Sequence, residues 1–242
     1  MKIINKKINN YEIIIFTLQT EDEFGKYFLR IYDYDVWKIF FPTEKLFSLE
    51  LYKKYNLLLK MEKYDDGYCG FYLTSKDIIN FYKYYIDQCN QYELKIINIL
   101  QQFNVIKFSE KGNINVNKKF AIILLLEYNC KNYNVNINKI LRHEMSHHFF
   151  RTNSKYAKIV NSAINKIKNK RYKKEIYNNL LKVKQYSDVK IANEFGAHII
   201  ENRDFKKFEK LLSEDDKKII NKIIKEYNKN INSKELMAEY IE

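Results

Sequence analysis

The sequence predicts an α+β protein with a mixed sheet-and-helix N-terminal part and a helical C-terminal part. Three observations lead there. β-branched and aromatic runs of strand length fall in the first half, and apolar residues recur at helical spacing almost throughout from Asn138 onward. No internal repeat and no Gly/Ser/Pro-rich linker interrupts the chain. The division is therefore placed at 1–138 and 139–242, with one continuous domain as the alternative. A chain of 242 residues with 46% hydrophobic and 16% aromatic side chains is long enough for a continuous apolar core.

In order, 11–19 and 26–34 are rich in Ile, Phe and Tyr and read as strands. Residues 46–64 have helical spacing, ended by a turn at Asp65-Asp66-Gly67. Ser75-Lys76-Asp77 reads as the cap of one long amphipathic helix reaching about Phe103, with Ile78, Ile79, Tyr82, Tyr85 and Ile86 on one face. Residues 105–108 and 120–128 read as strands joined by a loop around Gly112. The C-terminal part reads as helices over 140–150, 156–169 and 174–184. A further helix carrying Asn193 to Glu201 is capped at Ser187-Asp188. The last begins at Ser213-Glu214-Asp215-Asp216 and buries Ile219, Ile220, Ile223 and Ile224.

Net charge is +13, and residues 151–190 hold twelve Lys or Arg against two acids, Glu175 and Asp188. The plain reading is a solvated helical face in a chain biased towards Lys, Asn, Ile and Tyr. The functional reading is a stripe that attracts nucleic acid, an anionic membrane or an acidic partner. Cys69, Cys89 and Cys130 are odd in number and lack C-x-x-C spacing, which points to free thiols in a reducing compartment. The N-terminal apolar run, 13–16, is too short for a secretory signal, and the longest aliphatic run, 121–126, is too short for a transmembrane segment. The expectation is a soluble cytoplasmic protein, with signal-independent export left open.

The chemistry is concentrated in the histidines. All four lie in two short stretches, His143-Glu144-Met145-Ser146-His147-His148 and Asn193-Glu194-Phe195-Gly196-Ala197-His198. The first contains H-E-x-x-H, a zinc-site pattern when it falls on a helix. Residues four apart on a helix are separated by about 40° and about 6 Å, so His143 and His147 can offer ring nitrogens to one ion. Glu144, rotated by about 100°, need not be a ligand and is the candidate general base. The bland alternative is an exposed helix that happens to carry two surface histidines. His148 points away from His147 by about 100° and reads as a packing or supporting residue. A catalytic zinc site usually takes three protein ligands, and the downstream candidates are Glu194 and His198.

The two segments together resemble the gluzincin group of zinc metallopeptidases, in which a second helix, often N-E-x-x-x-D, completes the H-E-x-x-H site. His143, Glu144 and His147 match the first motif and Asn193-Glu194 the second, about a fifth of the chain with their flanks. The resemblance implies a zincin-like fold with the motif helix at the junction of the two parts, Zn2+ as cofactor, and a peptide or protein as substrate. His198 departs from it, standing where such enzymes often have an acid bonded to the first histidine. Two arrangements follow: Glu194 as ligand with His198 supporting, or His198 as ligand with Glu194 supporting. An ordinary amphipathic helix with neither at the metal is the third. The metzincin pattern is excluded by Phe150 and Asn153. None of the cysteines fits the upstream ligand motif of peptide deformylase. Tyr156, Tyr186 and Arg203 are the candidates for stabilising an oxyanion. Strand 120–128 reads equally as a substrate-pairing edge or a buried core strand. The competing function is a basic nucleic-acid-binding or regulatory protein whose metal is structural or absent.

Overall fold

The computed structural model describes residues 1–32, 69–168, 188–201 and 212–231. The chain forms two compact units, Met1–Val135 and Asn136–Glu242. The expected helices at 46–64 and 174–184, the turn at 65–67, the Ser187 cap, Tyr186 and Arg203 lie outside the described residues.

The first unit is built on a four-stranded mixed sheet in the order β1-β2-β6-β3. β1 (Lys2–Ile8) and β2 (Tyr11–Leu18) form an antiparallel hairpin. Its turn passes through Asn9 at φ 54°, a conformation that Asn tolerates better than most residues. β2 runs parallel to β6 (Phe120–Leu126), and β6 runs antiparallel to β3 (Gly70–Thr74). The registers Ile14↔Ile122 and Phe16↔Leu124, with Phe71↔Leu124 on the other side, align one face of the sheet. That face meets Phe24, Phe28, Phe81, Tyr82, Ile96 and Leu100 in the main apolar cluster. All seven residues of β6 are buried, which a strand covered on both faces achieves with a continuous apolar run. Of the two readings for 120–128, the core strand is the one found. Both edges of β6 are taken by neighbours, so it cannot pair with an added peptide.

Three sequence expectations are corrected here. Of the expected strand 26–34, residues 26–27 and 29–32 are helical, in α1 (Glu21–Tyr27) and α2 (Leu29–Tyr32), and 33–34 lie outside the described residues. The Thr20 side chain accepts a hydrogen bond from Glu23 N, and Glu21, Asp22 and Glu23 place negative charge at the helix start. That local capping outweighs the β-leaning composition. The long helix after residue 75 is two helices, α3 (Ser75–Tyr85) and α4 (Gln91–Gln102), with a 3-10 turn between them. Thr74 rather than Ser75 is the first cap, and a second capping box restarts the chain. There Asn90 Oδ1 accepts from Glu93 N at 2.9 Å while Glu93 Oε2 accepts from Asn90 N at 2.9 Å. The Glu93 carboxylate also receives Arg30 Nε at 2.8 Å in a buried ion pair. Finally, the expected loop between β4 (Ile106–Phe108) and β6 contains a further strand, β5 (Ile114–Val116), which pairs with β4 in a separate hairpin turning through Gly112 at φ 76°.

β1 and β3 carry no legible strand signal. The Lys and Asn residues of β1 break its apolar alternation, and β3 spans only five residues. α5 (Glu127–Asn132) begins inside the expected strand 120–128, so that strand stops at Leu126.

The described part of the second unit is helical: α6 (Ile137–Thr152), α7 (Ser154–Lys166), α8 (Asp188–Glu201) and α9 (Glu214–Asn230). Asn153 ends α6 and caps α7, accepting from Lys155 N and Tyr156 N at 3.0 Å each. Buried polar links join the helices. Ser146 Oγ and Tyr156 Oη are 2.8 Å apart, and Tyr227 Oη donates to the Arg142 carbonyl at 3.2 Å. α8 approaches α7 closely at Gly196, where a Cβ would stand 3.0 Å from Val160 Cγ1. α9 buries Asp216, Ile220, Ile223 and Tyr227, whereas Ile219 and Ile224 are half-buried. Among the described residues, no helix is long and apolar enough to cross a membrane.

Candidate metal centre

α6 and α8 bring the site together. Both helices belong to the second unit, and each presents donors at helical spacing: His143 and His147 on α6, and Glu194, His198 and Glu201 on α8. His143 Nε2 lies 3.6 Å from Glu194 Oε2, and His147 Nε2 lies 3.6 Å from Glu194 Oε1. Both separations are too long for hydrogen bonds. They are close to the distance of about 3.4 Å between neighbouring donors of a tetrahedral ion with bonds of about 2.0–2.1 Å. His143, His147 and Glu194 each offer one atom, all within 4.8 Å of one another. Two imidazoles and a carboxylate are the donor chemistry of a catalytic zinc site, so the residues present fit that ion.

The residue that sequence reasoning missed is Glu201. It is 2% exposed in its side chain, and its Oε2 lies 3.2 Å from His143 Nδ1, on the ring edge opposite Nε2. It is thus an acid in contact with the first histidine, one turn beyond His198, the position where the resemblance expects one. The signal was present as spacing. Glu201 follows Glu194 by seven residues and His198 by three, on one face of α8. His198 lies behind His143, with ring centroids 5.2 Å apart and Nδ1 3.6 Å from Glu201 Oε2. Of the two arrangements for the third donor, Glu194 is the residue that converges with both α6 histidines. His198 falls instead in a second group with His143 and Glu201.

The remaining candidates are placed as follows. Glu144 is buried on α6. Burial, reinforced by Glu194 and Glu201, raises its carboxyl to about 8 against the opposing pull of His143. His148 is buried against Phe149, outside both donor groups, and burial lowers it to about 4. Tyr156 is fully buried, with its hydroxyl bonded to Ser146, so it is a core residue rather than an oxyanion donor.

The charge balance of the ion-free cluster is set by the carboxylates. Burial opposes charge on His143, yet the Glu194 and Glu201 carboxylates beside it raise it to about 10. Burial likewise opposes charge on Glu194, but the histidines around it, His143 first, lower it to about 2. His147 is lowered to about 4 by burial, with Glu194 and the Asn193 side chain acting against the shift. The two carboxylates thus favour positive charge at this place, which a cation can supply.

Compared with family models, curated proteins and solved structures, the chain matches none.

Proposed function

We propose that this chain is a zinc-dependent metallopeptidase of the gluzincin type, with His143, His147 and Glu194 as ligands and Glu144 as general base. The observation that supports it most is the convergence of two imidazoles and one carboxylate from two helices, with a buried carboxyl on the motif helix beside them. Zinc bound there supplies a Lewis acid that polarises a scissile carbonyl and acidifies a water. Glu144 accepts the proton of the attacking water and delivers it to the leaving amine. A cation lowers its carboxyl from the raised, ion-free value, because positive charge favours the carboxylate. Glu201 accepts from His143 Nδ1–H, which fixes the ring and directs the Nε2 lone pair to the ion. The substrate class is a peptide or protein.

The test is metal analysis combined with cleavage of a peptide library. Purified protein should hold about one zinc per chain. Glu144→Gln should keep the zinc and lose cleavage by about 10²–10⁴-fold. Unchanged cleavage by that variant would remove Glu144 from the mechanism, and zinc-loaded wild type that cleaves no peptide would remove the peptidase reading.

A second reading, polyanion binding, is favoured by Lys218, Lys222, Lys225 and Lys229, which follow one exposed face of α9, and by exposed Lys155, Lys158 and Lys166 on α7. Nucleic-acid affinity that falls steeply with salt supports it, and no measurable binding at low salt refutes it.

A further inference from the structure

Behind the first set of donors stands a second. His143, His198 and Glu201 also offer one ligand atom each within 4.8 Å of one another. Glu201 Oε2 is 3.2 Å from His143 Nδ1 and 3.6 Å from His198 Nδ1. The longer of these equals the separations between the donors of the first set, and the shorter is within about 0.4 Å of them. The composition is the same, two imidazoles and a carboxylate, which suits zinc and its first-row neighbours. The sets share one residue, because His143 turns Nε2 towards Glu194 and Nδ1 towards Glu201.

We propose that His143, His198 and Glu201 form a second cation station that alternates with the first by sharing His143. A neutral imidazole carries one lone pair and one proton on its two nitrogens. When the ring binds an ion through Nε2, the proton is on Nδ1 and Glu201 accepts it. When the ring binds through Nδ1, the proton is on Nε2 and Glu194 faces it. The two carboxylates thereby exchange roles, ligand for hydrogen-bond acceptor, without movement of either helix. One chain therefore holds one ion at a time in this cluster. The stations differ in access: the Glu194 side chain is 22% exposed and that of Glu201 is 2% exposed. Catalytic zinc keeps an open position whereas structural zinc is enclosed. The second station holds an ion without offering it to substrate.

The inference rests on the proposed reading only in taking the first set as the working position of the ion. Its test reads metal and not cleavage, so the two fail separately. Wild type, Glu194→Ala and Glu194→Ala/His198→Ala are stripped of metal, checked for helix content by circular dichroism, and brought to equilibrium with a fixed free zinc concentration. A three-ligand site with no alternative should empty when Glu194 is removed. The second station predicts instead that Glu194→Ala still holds about one zinc per chain and that the double variant holds none. Folded Glu194→Ala without zinc overturns the proposal. So does a double variant that keeps its zinc, or wild type that takes two ions into the cluster. Should Glu194→Ala fail to fold, His147→Ala disables the first station from the other helix and is read in the same way.

Discussion

β6 in the first unit buries seven apolar side chains and nothing else, while α6 in the second buries Glu144, Ser146, His147 and His148 among Met145, Phe149 and Phe150. The two elements are similarly hidden from water, but their burial rests on different physics. Hydrocarbon is non-directional in what it accepts, so β6 needs neighbours of the right volume and little else. Buried polar groups need partners of fixed chemistry and position. On α6, Ser146 meets Tyr156 of α7, His147 faces Glu194 of α8, and His143 meets Glu201, which lies 58 residues beyond it. The sheet is thus tolerant of its sequence, whereas the metal cluster depends on a few particular side chains.

The comparison can be broken first where the first unit departs from hydrocarbon, at the buried Arg30–Glu93 pair. Arg30→Ala leaves Glu93 buried without its counter-ion and should cost about 3–5 kcal/mol in denaturant unfolding. A loss below about 1 kcal/mol, the range of exposed pairs, would mean that water reaches Glu93. Leu124→Ala, in the middle of β6 on the clustered face, should cost about 2–5 kcal/mol through lost burial and a cavity. Leu124→Met should cost less than about 1.5 kcal/mol, and equal costs for the two would show that β6 is not tolerant of shape.

For the second unit, zinc at about one hundred times its dissociation constant should stabilise the folded state by about 2.7 kcal/mol. Amide exchange should slow in α6 and α8 more than in β2 and β6. Slowing confined to the sheet would place the ion elsewhere. The smallest of these effects is at Glu201. Glu201→Gln keeps an acceptor for His143 but removes the charge, and should weaken zinc binding by about 10–100-fold. Affinity equal to that of wild type would make Glu201 a bystander to the first station.

How much was legible in the sequence follows the same division. The apolar run of β6 and the His143-Glu144-x-x-His147 spacing are local, and both could be read without a structure. The described part of the expected strand 26–34 is helical because a single hydrogen bond to Thr20 and three acids decide against side chains that favour strand. The break between α3 and α4 was missed because Asn90 and Glu93 cap reciprocally inside a stretch whose apolar spacing is helical throughout. Glu201 was missed because its value comes from a ring on another helix. On α8 alone it is one more charged residue.

The sequence by itself determined the mixed α+β class, the two α6 histidines with Glu144 between them, and the pair of downstream candidates on α8. Those depend on periodicity and spacing within single elements, which the chain carries along its length. Tertiary structure decided that Glu194 converges with both α6 histidines, that His198 stands behind with Glu201, and that Tyr156 belongs to the core. Each of those outcomes turns on a distance of a few ångströms to a side chain of another helix, for His198 the His143 ring. Such distances are set by how the helices pack, including the close approach of α8 to α7 at Gly196, and no spacing along one helix encodes them.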